Sequence, residues 1–227
     1  MSVRIVFAWT CITGCMPTVV QSALVETKDM SAHFTVHTAA DGTSQGTATL
    51  YWVSGKADVL VGDGDHVLVD GIEMSTKSDF SSDYVADLAS AADHLFSLQR
   101  PGKAPIEYRV TSPVPFALTS GPFNGTYDLE ATLTWAPARP GSSITIVARG
   151  ATATCPSQTL ATAYPDSGSF AFTGADVRPP KSSAMVVPGC VFTLEVTETT
   201  FSDGDASELS GAVLEQQHLE STTLTLN

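Results

Sequence analysis

The chain has 227 residues, 43% of them apolar, which is enough to bury a proper core and suits two domains of about 100 residues each. Its net charge of −13, with 11 Lys and Arg against 24 Asp and Glu, excludes a nucleic-acid ligand, whose phosphates demand clustered basic contacts, and a basic patch gripping anionic lipid. Only 15% of residues are charged while 24 are Ser and 28 are Thr, the composition of an exported β-rich protein in which Thr favours strands and Ser, Gly and Pro fill turns.

The N-terminus reads as an export signal. Arg4 is the only charge before Glu26, and Ile5 to Thr13 is a short, mostly apolar run, the length of a signal-peptide core and too short to span a bilayer. Two cleavage sites follow. ITGC, Ile12 to Cys15, resembles the lipobox of bacterial lipoproteins, an aliphatic residue and two small ones before the cysteine that takes lipid and becomes the mature N-terminus. VVQS offers ordinary secretion by cleavage after Ser22, and a first β-strand is the structural alternative to both. The lipobox reading makes residues 1–14 a signal peptide and 15–27 an extended tether. Cys11 then leaves with the signal, Cys15 carries lipid, and Cys155 and Cys190 remain as one disulfide pair in an oxidising compartment. Two buried reduced thiols are the other reading of that pair. No CxxC spacing points to zinc.

From Lys28 onward short alternating runs recur at near-regular spacing without a helical period, the pattern of a sandwich or barrel. AHFTVHT puts Phe34 and Val36 on one face against His33, Thr35 and His37 on the other. TATLYWV, ADVLV and HVLVDGIEM follow, the last a hairpin in which Asp70 and Gly71 suit a type I′ turn. YVADL, HLFSLQR and IEYRVTS complete a first sandwich over 28–112; VADLASAAD is the one stretch that also suits a short helix. Three prolines within 112–122 mark a stiff linker at 113–117. DLEATLTW, SITIVARG, GSFAFTG, CVFTLEVTET and AVLEQQHLESTTLTL predict a second sandwich over 118–227, with the Pro-rich stretch before Cys190 as a loop.

DLEATLTW, the cysteine at 155, PDSGSF at 165–170 and CVFTLEV from Cys190 together resemble uncharacterised bacterial envelope lipoproteins that carry tandem immunoglobulin-like domains behind a lipobox. The resemblance implies an all-β fold of two tandem immunoglobulin-like β-sandwiches and an envelope location, and carries no active site across. Trp135 precedes the first cysteine, whereas the antibody pattern puts its Trp between the two, so whether it packs on the disulfide is open.

Candidate chemistry is sparse. His33 and His37 start roughly 13 Å apart along a strand, too far to share a metal. GDGDH at 62–66 and SDGDASE at 202–208 each hold Asp-Gly-Asp, and Asp203, Asp205 and Glu208 form the better candidate for Ca²⁺, although neither stretch completes an EF-hand and solvated turns explain both. GxSxG, HExxH, P-loop and GxGxxG signatures are absent. Tyr51 and Trp52 are adjacent on a strand, so one of them is a candidate for a sugar- or peptide-binding face. The expectation is a lipid-anchored, non-enzymatic binding, adhesion or structural module of the cell envelope. Its partners would be the membrane, through the N-terminal lipid, and an envelope protein or glycan. The alternatives are a calcium-stabilised carbohydrate-binding domain and a secreted hydrolase with an unsignalled carboxylate pair.

Overall fold

The computed structural model describes residues 18–62, 64–77, 82–152, 155–177, 189–204 and 208–227. Alternation with a period of two produces its elements. In chain order the first half gives β1 (Val19–Gln21), β2 (Met30–Thr38), β3 (Ser44–Trp52), β4 (Ala57–Leu60), β5 (His66–Val69), β6 (Ile72–Glu73), β7 (Ser75–Thr76), β8 (Asp83–Leu88), β9 (Asp93–Gln99) and β10 (Ile106–Thr111). The second half gives β11 (Ala117–Leu118), β12 (Phe123–Gly125), β13 (Glu130–Ala136), β14 (Ser143–Gly150), β15 (Gln158–Pro165), β16 (Ser169–Thr173), β17 (Cys190–Asp203) and β18 (Gly211–Leu226). Short 3₁₀ turns at Ser22–Leu24, Thr27–Asp29 and Gly174–Val177 are the helical segments among the described residues.

One sheet of eleven strands, running β1-β4-β3-β2-β18-β17-β14-β15 with β7, β8 and β12 off that path, extends through both halves. Its centre is the long β17–β18 hairpin, paired in unbroken register from Cys190↔Leu226 to Asp203↔Val213. On its other edge β18 changes partner part-way. Gly211 to His218 pair in parallel with β2, and Leu224 to Leu226 pair in parallel with β12.

Two smaller sheets, β10-β9-β5-β6 and β11-β13-β16, supply the opposing layers. The first core joins Phe34, Val36 and Leu50 of the large sheet to Val69, Phe96 and Tyr108, with ring centroids of Phe34 5.0 Å from Phe96 and 5.4 Å from Tyr108. The second joins Ile146, Phe192 and Leu224 to Leu133, Trp135 and Phe172. Side chains of a strand alternate between faces. Ala212 and Leu214 in the first core therefore share a face of β18 with Leu224 and Leu226 in the second. The fold is an all-β layered sandwich, with both cores on one side of a shared sheet.

Several expectations change. The described part of the 15–27 tether is ordered structure: β1 pairs in parallel with β4, and Val25 sits in the first core. Of the two readings open for VADLASAAD, strand plus turn holds: β8 runs into the turn before β9, with Tyr84 and Ala86 packing inward on alternate positions. QTLATAYP forms an additional edge strand, β15, with register shifts against β14 around Ile146. The linear division at 113–117 also gives way. The first core runs to Val110 and resumes with Leu209 and Ala212, so the C-terminal strand completes the first sandwich before crossing to the second. Cys15 and the signal segment lie outside the described residues.

Candidate functional site

Where the two cores meet, the inner face of the shared hairpin turns polar. Cys190, Phe192, Leu194 and Val196 point inward along β17, and the next inward position is Glu198; opposite it in register on β18 lies His218. Both are 4% exposed. The linker and the β13–β14 turn close over this point.

Arg139, on that turn, is the bolt. Its guanidinium pairs with Glu198 Oε2 and donates to the Pro115 carbonyl at 2.8 Å, joining turn, linker and sheet. Asp166 positions the turn by accepting the Arg139 backbone N–H at 2.5 Å and the Trp135 indole N–H at 2.7 Å. Phe116 meets the His218 ring edge-on, with centroids 5.2 Å apart. A cavity of about 340 Å³ remains, lined by Pro113, Val114, Pro140, Glu198 and His218 among others. Glu198 Oε1 and His218 Nδ1 are buried and make no hydrogen bond, while His218 Nε2 lies 3.1 Å from Glu220 Oε1. Buried polar atoms are rarely left without partners, so two in one cluster mark it as unusual among the described residues.

The outer face of the sheet carries a second polar network. Glu215, 7% exposed, accepts from His33 at 2.6 Å, Gln217 at 2.6 Å and Thr35 at 3.3 Å. Burial is the largest single influence and raises its pKa, but these hydrogen bonds and the nearby imidazole together outweigh it and hold the carboxyl below its ordinary value. Beside the network Tyr51 and Val213, 37% and 39% exposed, border an open groove of about 380 Å³. Trp52 points the other way and packs against the first core, over Gly55, where an added Cβ would fall 2.0 Å from its ring.

A third cluster holds the N-terminal segment. The Arg100 side chain is 9% exposed and donates to Asp65 Oδ2 at 3.1 Å, to the carbonyls of Ser22 at 2.8 Å and Val25 at 3.0 Å, and to the Thr27 hydroxyl at 2.9 Å.

The sequence-predicted residues fare unevenly. Cys155 and Cys190 form a disulfide with Cα atoms 5.8 Å apart, in the same core cluster as Trp135. Its close fit shows at Gly150, where a Cβ would fall 1.3 Å from the Cys155 carbonyl oxygen. Asp205 and the Asp203 side chain lie outside the described residues, and Glu208 is exposed in an open groove beside Lys28 and Lys103. Asp65, from the other Asp-Gly-Asp stretch, is engaged by Arg100 rather than free for a cation. His33 is joined to Glu215 and not to His37. Among the described residues no group of three or more His, Cys, Asp or Glu is arranged to hold a metal, and no helix is long and apolar enough to cross a membrane.

Arg100, Arg139, Glu198 and His218 were not among the candidates from sequence. A signal existed for two of them. Glu198 and His218 are the inward positions at which an otherwise apolar alternation becomes charged or polar.

These geometries define an all-β sandwich protein with a polar junction. No protein-family profile matches the chain, and no curated protein matches it in sequence. Among solved structures, the fibronectin(III)-like modules of Clostridium thermocellum CbhA align over 91% of this chain and 92% of theirs at 10% identity, with a TM-score of 0.24. That superposition is too loose to bear on the fold, which rests on the strand pairing and cores described above.

Proposed function

We propose that the protein is a lipid-anchored, non-enzymatic module of the bacterial cell envelope, holding a rigid β platform near the membrane for binding, adhesion or structural support. The observation that carries this reading is the integration of residues 19–29 into the first sandwich. Cleavage after Ser22 would delete β1 and remove the fully buried Ser22, whose carbonyl accepts from Arg100 and whose hydroxyl accepts from the Gly62 N–H at 3.3 Å. Cleavage before Cys15 preserves all of it. The fold therefore favours a mature N-terminus upstream of Thr18, and ITGC supplies one.

A lipid on Cys15 would sit four residues from Val19, a reach of at most about 14 Å in extended chain, so the first sandwich would stand against the bilayer rather than on a long tether. Multiple acyl chains, as the lipoprotein resemblance implies, make such attachment stable where one chain is marginal. The partner would be an envelope protein or glycan, met by the outer face around Tyr51. The calcium-stabilised alternative requires a melting temperature that rises with added calcium.

The test is the intact mass of membrane-extracted protein expressed in a Gram-negative host. A chain beginning at Cys15 with added acyl mass supports the proposal. A lipid-free chain beginning at Ala23 would overturn it and make the protein a diffusible one.

A further inference from the structure

We propose that the groove on the outer face of the first sandwich, walled by Tyr51, binds a neutral sugar ring. This deepens the reading that the outer face meets the partner and rests on it for the site, but not on the anchor: a lipid-bearing chain can fail the test below, and a lipid-free one can pass it.

The groove is a consequence of register. Tyr51 of β3, Ser31 of β2 and Gly211 of β18 lie side by side in one row on the outer face. The two small residues leave a floor beside a large ring, and a Cβ built on Gly211 would meet nothing within 4 Å. In the next row Thr49, His33 and Val213 continue the lining, and the space enclosed is about 380 Å³, within the range of small-ligand clefts at about 300–1,000 Å³. Tyr51 and Val213 are 37% and 39% exposed and the His33 side chain 45%, so among the described residues these groups face solvent.

The lining decides the class of ligand. Among the described residues it contains no Lys, Arg, Asp or Glu. Glu215, one row further along β18, has both oxygens engaged, Oε1 by Gln217 and Oε2 by His33 and Thr35. An anion finds no Lys or Arg there, the His33 ring being already turned to Glu215, and a cation finds no carboxylate in the lining. Asp58, on the other side of Tyr51, lies outside the groove, and the amine control below tests its pull. A peptide recognised through its backbone needs an unpaired strand edge, whereas β3, β2 and β18 are each paired on both sides. The groove offers an aromatic wall, an apolar rim at Val213, and polar groups already held in place. Thr49 donates to Asp83 Oδ1 at 2.8 Å, and His33 is fixed by Glu215 at 2.6 Å. A sugar ring matches that set, with an apolar C–H face for the ring of Tyr51 and hydroxyls that both donate and accept. Because the polar groups are ordered beforehand, binding gives up little side-chain freedom.

The experiment is NMR titration of the ¹⁵N-labelled full chain with three neutral trisaccharides, cellotriose, mannotriose and triacetylchitotriose, and with the deacetylated, cationic counterpart of the last. Saturable shifts of the β2 and β3 amides around His33 and Tyr51 are expected with at least one neutral trisaccharide. Tyr51→Ala should weaken that binding about tenfold or more, while Tyr51→Phe, which keeps the ring, should change it by about threefold or less. Gly211→Leu should fill the groove and abolish binding at an unchanged melting temperature, because the added side chain enters open space. A folded Gly211→Leu or Tyr51→Ala that binds as the parent does would place the sugar elsewhere and overturn the proposal. So would the absence of a saturable response to all three neutral trisaccharides. Tighter binding of the cationic form than of its acetylated parent would overturn it too, and make the groove a cation site.

Discussion

The two sandwiches share a sheet but secure their loose segments by different means. In the first, the segment before β2 is held non-covalently, by a partly buried arginine that reaches one carboxylate, one hydroxyl and two carbonyls. In the second, the segment before β15 is held covalently to the start of β17 by the Cys155–Cys190 disulfide. The closing layers differ in the same sense. The first has four strands and the second three, and each includes one two-residue strand, Ile72–Glu73 and Ala117–Leu118. A cover with fewer strands leaves more for a cross-link to supply, and the disulfide lies on that side.

The largest effect is expected at the ionic clamp. Arg100→Met strips the partner from Asp65, 8% exposed, and from the carbonyls of Ser22 and Val25, and should cost about 3–5 kcal/mol in urea unfolding. The same variant should become sensitive to proteolysis near residues 22–27. Next comes the covalent counterpart. Replacing both cysteines with Ser opens a link of sequence separation 35 and should cost about 3.8 kcal/mol on the chain-entropy account. A loss in the disulfide-free protein far below that of Arg100→Met would mean that the second cover is sufficient alone, and the contrast between the halves would fail.

Trp135→Phe should be milder, about 1–2 kcal/mol by thermal or urea unfolding, because it keeps the ring in the second core and removes the bond from its indole N–H to Asp166. The smallest effect concerns the outer face. Glu215 has its folded pKa held below the ordinary value of 4.5, so the stability it contributes is fully present above pH 4.5 and is lost as pH falls through the lowered folded value. Glu215→Gln should therefore flatten that part of the acid limb of the stability curve and leave its neutral region shallow. An acid limb identical to that of the parent protein would remove Glu215 from the account.

Much of the strand set was legible because one face of each strand is buried and the apolar residues mark it. Phe34 and Val36 of β2 and the Asp70–Gly71 turn, with φ of 51° and 78°, follow directly from local pattern. β15 escaped because it is an edge strand with few buried positions, so its sequence alternates weakly. The parallel pairing of β18 with β2 escaped for another reason. It joins segments some 180 residues apart, and no local signal specifies which edge a C-terminal strand will take. The junction site was half legible. The break in apolar alternation at Glu198 and His218 is visible in sequence, whereas Arg139 and Asp166 reach the cluster only through the turn and loop that tertiary structure brings over it.

The central claim is that the shared β17–β18 hairpin makes the two sandwiches one mechanical unit, as a rigid platform requires. Native-state hydrogen exchange in rising denaturant tests it most directly, comparing the core amides of β2 in the first sandwich with those of β14 in the second. The account predicts that both sets converge on the same opening free energy and the same denaturant dependence, that of global unfolding. Two separate limits, each with a smaller denaturant dependence, would contradict it and describe two independent domains that merely touch.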